Sequence, residues 1–262
     1  MRDRELTDAV LRARRVIAEL QIQKASEILI EEIAFAQGAI VRHEPLAGAD
    51  GRLVRLGEQG VIRVRQDIPE LGRRRFVIAH ELGHLLLGHG SDVLRLCDEE
   101  DLLTWSKKQR AGENEANEFA AELLMPEVFF RPYCQTGKPN LKVIERLADE
   151  FQTSLTATAI RYVDLSPDRC AVVISRNRQI RWNRCSESFP YWLLRRGPLH
   201  GYSYALDCFE GKPVPDYISQ VSATGWLPEM KGHADRTVWE QSRVISRRLG
   251  IVLSLLWLPE DE

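Results

Sequence analysis

One stretch decides the fold of this chain: Phe76-Val77-Ile78-Ala79-His80-Glu81-Leu82-Gly83-His84-Leu85-Leu86-Leu87-Gly88. On a helix each residue turns by about 100°, so residues four apart share a face, and the imidazoles of His80 and His84 can converge on one metal ion. Glu81 is turned away from the metal axis but can still reach a water held by the ion, as a general base must. The spacing therefore predicts two metal ligands and one general base. The alternative is a buried helix whose histidines are only hydrogen-bonded, which would be costly in so apolar a segment.

A third ligand is expected downstream, because hydrolytic zinc sites use three protein ligands and a water. The segment from Glu113 to Pro126 has apolar residues at helical spacing and a proline as its stop, so we predict a helix there. Glu113 lies about 50° from the centre of the apolar stripe. Glu115, Glu118 and Glu122 lie roughly 110° to 170° away and are expected to face solvent. This geometry favours Glu113 as the third ligand.

Asn117 follows Glu113 by four residues on the same side of that helix. Its amide is predicted to hold the far nitrogen of a ligating histidine, the alternative being a solvated helix position. His89 follows a glycine at the expected end of the first helix and is predicted to be a surface residue. No comparable spacing is found for His43, His200 or His233.

Two motifs in this chain resemble those of the ImmA/IrrE family of metallopeptidases, and most closely its longer, radiation-response (IrrE-like) branch. They are His80-Glu81-Leu82-Gly83-His84 and Glu113-x-x-x-Asn117-x-Phe119-Ala120-Ala121-x-Leu123-Leu124-Met125-Pro126. The resemblance implies a thermolysin-like zinc peptidase domain, in which His80, His84 and Glu113 bind the metal. In this comparison Glu81 is the base.

The same resemblance implies a function. Members of the family cleave helix-turn-helix transcriptional repressors, which switches on stress or DNA-damage response genes or genes of mobile elements. We therefore expect a zinc-dependent endopeptidase, with manganese or another divalent metal as the alternative ion, acting on an Xre-like repressor. Two other functions remain open: a DNA-binding regulator with a structural metal site, and a protein that binds a repressor without cutting it.

Length and composition fit a soluble intracellular protein. The 262 residues include 36 basic and 38 acidic side chains, so there is no global attraction to nucleic acid or to an anionic membrane. Five cysteines without C-x-x-C spacing indicate reduced thiols in the cytoplasm. No apolar stretch has the length of a signal peptide or a membrane span, and we predict a cytoplasmic protein without membrane contact.

The order of elements predicts an α+β fold with three parts. Residues 1–136 are expected to form the metallopeptidase domain, with helices over residues 6–37 and a small antiparallel sheet over 39–42, 52–56 and 60–65. An edge strand of that sheet is the hypothetical docking place of an extended substrate. The basic run Arg73-Arg74-Arg75 is expected to be solvated, although it could instead attract an acidic substrate segment or a nucleic-acid phosphate.

Residues 137–166 are predicted to form a helix-turn-helix module, with helices over 141–151 and 154–162. Direct DNA binding is not expected, because Arg161 is the one basic residue of the second helix. Residues 167–262 are expected to form a sensor or scaffold domain similar to GAF domains, as in the longer radiation-response branch of the family. Its predicted strands cover residues 170–175, 179–183, 202–208, 237–245 and 251–258, with a helix over 186–196.

Overall fold

The computed structural model describes residues 6–57, 59–89, 111–135, 137–227 and 236–259. These residues form an α+β protein with two compact units. The first unit contains the described residues of Met1–Phe129 together with Leu147–Ala157, and the second contains those of Phe130–Arg146 and Thr158–Glu262. Among the described residues, no helix combines the length and the apolar character that crossing a bilayer requires.

The first unit is built from helices around a three-stranded sheet. Its elements are α1 (Asp8–Glu19), a 3-10 turn (Ala25–Glu27), α2 (Ile30–Ala36), β1 (Ala39–Glu44), β2 (Gly51–Leu56), β3 (Gln59–Arg65), α3 (Leu71–Leu86) and α4 (Ala111–Leu124). The strand order is β1-β3-β2, with β2 antiparallel and β1 parallel to β3. The prediction of an antiparallel sheet is therefore wrong for β1. The hairpin between β2 and β3 reverses the chain a second time, so β3 runs in the same direction as β1.

Helix α3 is buried along most of its length, which its apolar run explains. It packs on the sheet and on α4 within one hydrophobic core. The close approach of α3 to α4 depends on Gly83, because a Cβ atom there would lie 3.1 Å from Phe119 and 3.3 Å from Ala116. This close packing brings the histidines of α3 within reach of the first turn of α4.

Helix α1 covers the side of α4 that the sequence analysis left to solvent. Arg14 Nε lies 2.9 Å from Glu122 Oε1, and the Glu122 side chain is 2% exposed. The Thr7 hydroxyl donates to Glu118 at 2.7 Å. The prediction that Glu122 faces solvent is wrong, because an arginine from another helix compensates its burial.

The basic run before α3 is largely folded inward. Arg75 is buried and donates to the Ile28 carbonyl at 2.8 Å. Arg73 pairs with the buried carboxylate of Asp50 through its Nε at 2.7 Å. The expectation of a solvated run is wrong for both arginines, which serve to anchor the loop segments around the helix.

After α4 follow α5 (Glu127–Phe130), a 3-10 turn (Arg131–Gln135), α6 (Leu141–Phe151) and α7 (Leu155–Leu165). The helices predicted over 141–151 and 154–162 are present, the second one shifted and extended to Leu165. Gln152 adopts a left-handed conformation, with φ of 52°, in the turn between them. The interpretation of this pair as a helix-turn-helix module, and the three-part domain division, stay predictions.

The second unit is built on an antiparallel sheet. Its elements are β4 (Arg169–Arg176), β5 (Gln179–Cys185), β6 (Gly197–Pro198), α8 (Tyr204–Glu210), β7 (Ser219–Ser222), a 3-10 turn (Ala223–Gly225), β8 (Thr237–Ser246) and β9 (Ile251–Leu258). The strand order is β6-β5-β4-β9-β8-β7. The strands expected near 170, 179, 237 and 251 are all present. The GAF-like interpretation of this unit stays a prediction.

Two predicted elements of this unit are wrong. Residues 202–208 are mostly helical, because the Ser203 side chain caps the N-terminus of α8 by accepting from the Leu206 N–H, and Gly211 ends the helix in a left-handed conformation. Residues 186–196 are irregular instead of helical. Pro190 interrupts helical hydrogen bonding in this segment. The irregular segment nevertheless contributes Phe189 and Leu193 to the hydrophobic core of the second unit.

Candidate metal centre

The three side chains predicted to bind a metal lie together in the first unit. His80 and His84 project from α3, and Glu113 projects from the first turn of α4. The two Nε2 atoms are 3.0 Å apart, and Glu113 lies 3.3 Å from His80 Nε2 and 3.6 Å from His84 Nε2. One ligand atom from each residue lies within 4.8 Å of the others. Among the described residues, this is the cluster of His, Cys, Asp and Glu side chains that could hold a metal ion.

The orientation of His80 is set by Asn117. His80 Nδ1 lies 2.9 Å from Asn117 Oδ1, and both side chains are buried. An amide oxygen can only accept, so His80 donates from Nδ1, and its Nε2 lone pair is directed at Glu113 and His84. Asn117 was predicted to hold a ligating histidine, and the structure places it in this position.

The donor set fits a divalent cation. Contact with the imidazoles of His80 and His84 holds the pKa of Glu113 well below its usual range, so this carboxyl is ionised at neutral pH. Two imidazole nitrogens and one carboxylate are ligands that zinc and its neighbours accept. A position bordered by a negative charge and nitrogen lone pairs is electrostatically favourable for a cation. His80, His84 and Glu113 could therefore hold a metal ion, as the sequence analysis predicts.

Glu81 is buried next to this cluster, on the side of strand β2. Its carboxylate accepts a hydrogen bond from the Leu53 backbone N–H. Burial raises the pKa of Glu81, and this effect outweighs the nearby imidazoles of His80 and His84, which act in the opposite direction. A buried carboxyl with a raised pKa is suited to accept a proton and to pass it on.

Strand β2 brings its free edge to the cluster. β2 lies at the edge of the three-stranded sheet, and the Leu53 N–H points from it to Glu81. Arg55, two residues further on, donates to the carbonyls of His84 and Leu85 at 2.8 and 2.7 Å. Gly51 touches the helix so closely that a Cβ atom there would lie 2.4 Å from Val77 Cγ1. The edge strand and the helix are thus held as one piece.

The sequence analysis missed part of this site. His89 was predicted to be a surface residue, which is wrong, because its Nδ1 lies 3.0 Å from His84 Nδ1. Glu115 is exposed, as predicted, but the sequence analysis did not foresee that its carboxylate lies 2.7 Å from His89 Nε2. The one sequence signal for His89 is Gly88, since a glycine after a helix commonly reverses the chain toward the last turn. The contact between Leu53 and Glu81 has no signal in the local sequence.

Comparisons with known proteins bear on the fold and on the family. A search of curated proteins found no match to the sequence. A solved structure, the Mycobacterium tuberculosis transcriptional regulator, superposes with a TM-score of 0.60 over 98% of this chain and 78% of its own, at 15% identity. At this identity the likeness concerns the fold alone.

The family comparison concerns the part of the chain that carries the cluster. Residues 34–162 match the model of the Peptidase_M78 family, described as the IrrE N-terminal-like domain. This range includes the three-stranded sheet, helices α3, α4 and α6, and helix α7 as far as residue 162. This match confirms the resemblance to the ImmA/IrrE metallopeptidases over residues 34–162, the part of the chain that carries the cluster.

Proposed function

We propose that this protein is a cytoplasmic, zinc-dependent endopeptidase that cleaves an Xre-like helix-turn-helix repressor and so derepresses stress-response or mobile-element genes. The observation that supports the proposal is the position of Glu81. This buried carboxylate lies beside a cluster of two imidazoles and a second carboxyl group, Glu113, that could hold a cation. Hydrolysis needs both parts, a site for a Lewis acid and a base next to it.

His80, His84 and Glu113 are proposed to hold the ion. A divalent ion bound there supplies Lewis-acid polarisation of a water molecule and of the peptide carbonyl. Asn117 keeps His80 in the tautomer that presents Nε2 to the cluster. Manganese or another divalent ion is the alternative to zinc, because the same donor set accepts both.

Glu81 is proposed as the general base and then the general acid. Its carboxylate takes a proton from the attacking water and passes that proton to the leaving amine of the cleaved peptide bond. Burial raises the pKa of Glu81, which strengthens it as a base. The hydrogen bond from the Leu53 N–H keeps the carboxylate turned to the same place in both steps.

The substrate is proposed to bind as an additional strand at the free edge of β2. Main-chain hydrogen bonds along an edge give affinity with little demand on sequence. Leu53 lies within β2 and beside Glu81, so a peptide paired along this edge would pass the base. Direct binding of DNA is not part of the proposal, since Arg161 is the one basic residue of α7.

The test uses the full chain and candidate repressors. Each Xre-like repressor encoded in the same cell is incubated with the zinc-loaded protein, with the protein after chelation, and with the E81Q variant, and fragments are measured by mass spectrometry. We expect a discrete cut in one repressor with the zinc-loaded protein alone. Zinc measured by elemental analysis should remain in E81Q and fall in the E113A variant.

Three results would contradict the proposal. Cleavage retained by E81Q would remove Glu81 from the reaction. A repressor that is bound but stays intact with the zinc-loaded protein would favour capture without cleavage, and a salt-dependent shift of operator DNA by this chain alone would favour a DNA-binding regulator.

A further inference from the structure

A line of hydrogen-bonded side chains leads away from His84, on the side opposite the metal cluster. His84 Nδ1 lies 3.0 Å from His89 Nδ1, and His89 Nε2 lies 2.7 Å from Glu115 Oε2. The two imidazole rings meet edge to face, with centroids 5.1 Å apart. We call these residues the Glu115–His89–His84 triad. Neither His89 nor Glu115 belongs to the cluster of candidate ligands.

The carboxylate of Glu115 determines which ring nitrogens of His89 and His84 carry a hydrogen. A carboxylate such as Glu115 can only accept, so neutral His89 donates from Nε2 and keeps a lone pair on Nδ1. That lone pair accepts from His84, so His84 donates from Nδ1. The Nε2 of His84 is then left without a proton, directed at Glu113 and His80. The opposite order would place the proton on His84 Nε2 and exclude a metal from that nitrogen.

The local sequence explains how His89 reaches this position. Helix α3 ends at Leu86, and Gly88 takes a left-handed conformation with φ of 74° that L-residues with side chains rarely adopt. The chain reverses there, and the His89 N–H donates to the His84 carbonyl at 3.2 Å. Gly112 on α4 leaves room for the imidazole, since a Cβ atom there would lie 3.3 Å from His89 Nδ1.

We propose that His89 and Glu115 are positioning residues, which fix His84 in the tautomer and orientation that present Nε2 to the metal. The inference rests on the proposed function, because it assigns a role relative to the same metal site. His80 receives the matching support from Asn117, a neutral amide. His84 is supported instead by a histidine that is itself held by a carboxylate.

Zinc affinity measures the effect directly. In competition titrations with a chromophoric chelator, we expect H89A to bind zinc about 10- to 100-fold more weakly than the wild type. H89Q should recover most of the loss, because an amide oxygen at this position can accept from His84 Nδ1. E115A should show a smaller loss than H89A, and E115Q should recover from it, since its amide oxygen still accepts from His89.

A matched control is available on the same unit. His43 Nε2 lies 3.0 Å from Glu31 Oε1, so H43A removes a histidine–glutamate pair of the same chemistry that touches none of the cluster residues. H43A should bind zinc as the wild type does. The visible absorption of the cobalt-substituted protein should change in H89A and stay unchanged in H43A, because the bands report ligand geometry at the ion.

A second measurement separates this inference from the proposed function. Long-range ¹H–¹⁵N spectra of the metal-free protein at a pH above the ordinary histidine pKa of about 6.5 should show His84 protonated on Nδ1 in the wild type and a mixture of tautomers in H89A. This result supports the triad even if no repressor is cleaved. Zinc affinity and cobalt spectra that are the same in H89A and H43A would overturn the triad, even if the wild type cleaves a repressor.

Discussion

Two buried glutamates, Glu81 in the first unit and Glu240 in the second, face the same cost of burial and meet it differently. Burial raises the pKa of both. Glu240 accepts hydrogen bonds from the Ala205 N–H at 2.8 Å, from Trp226 Nε1 at 2.7 Å and from the Ser242 hydroxyl at 2.6 Å. For Glu81 the donor among the described residues is the backbone N–H of Leu53.

The difference separates a structural carboxyl group from a reactive one. The donors around Glu240 join α8, the turn before Trp226 and strand β8, so its hydrogen-bonding capacity is spent on holding the second unit together. Among the described residues Glu81 has fewer donors, and it lies next to two imidazoles and a second carboxyl group, Glu113. Perturbed carboxyl groups are common at active sites, and the number of satisfied lone pairs distinguishes the two roles here.

The largest expected effect is on the rate of cleavage, when Glu81 and Glu240 are each replaced by glutamine in separate variants. E81Q should lower the rate of repressor cleavage by about 10²- to 10⁴-fold, because an amide cannot accept the proton, while zinc content stays unchanged. E240Q, as the matched variant, should cleave at nearly the wild-type rate at a temperature where it is folded. Initial rates measured at equal zinc occupancy check both. Loss of cleavage in folded E240Q would contradict the comparison.

Removing the acceptor altogether should reveal the structural role of Glu240. E240A leaves the Trp226 N–H and the Ala205 N–H buried without a partner, and we expect it to lower the free energy of unfolding by roughly 3 kcal/mol. Urea denaturation followed by tryptophan fluorescence measures this change. E210A, at the exposed end of α8, is the control and should unfold as the wild type does. Equal midpoints for E240A and E210A would remove Glu240 from the network.

A smaller effect is expected where the sheet edge meets Glu81. In G51A the new Cβ atom would lie 2.4 Å from Val77 Cγ1 and 3.1 Å from Glu81 Oε1, so β2 must shift away from α3. We expect a loss of about 1–3 kcal/mol in the free energy of unfolding. The cleavage rate should fall by more than the loss of folded protein accounts for. The reason is that the Leu53 N–H, which is hydrogen-bonded to Glu81, moves with the strand. G201A, which meets no atom within 4 Å, should leave both measurements unchanged.

The metal cluster could be predicted from the sequence because its geometry is local. The spacing of His80 and His84 fixes one face of a helix, and the angle of Glu113 to the apolar stripe singles it out among four glutamates of α4. Asn117 follows from the same periodicity. None of these inferences requires knowledge of which helices pack together.

The parts that could not be predicted depend on contacts distant in the chain. Glu122 is buried because α1 covers α4, and β1 is parallel to β3 because of two successive reversals. The region around Tyr204 has an alternating pattern typical of a strand, but the cap at Ser203 outweighs it. The position of His89 depends on the left-handed conformation of Gly88, which reverses the chain after α3. That conformation could be predicted only if the end of α3 were already known.

The smallest expected effect, a pH dependence, tests whether burial or hydrogen bonding governs Glu240. Because its pKa is raised in the folded state, the folded protein retains a proton that the unfolded chain has released, once the pH exceeds the ordinary glutamate value of about 4.3. We subtract the free energy of unfolding of E240Q from that of the wild type. This difference should be largest below about pH 4.3 and should decrease as the pH rises from there toward the raised pKa of Glu240 in the folded protein. Urea denaturation of both proteins across a pH series measures the difference. A difference for E240Q that grows with pH would mean that the donors from Ala205, Trp226 and Ser242 stabilise the charge more than burial opposes it.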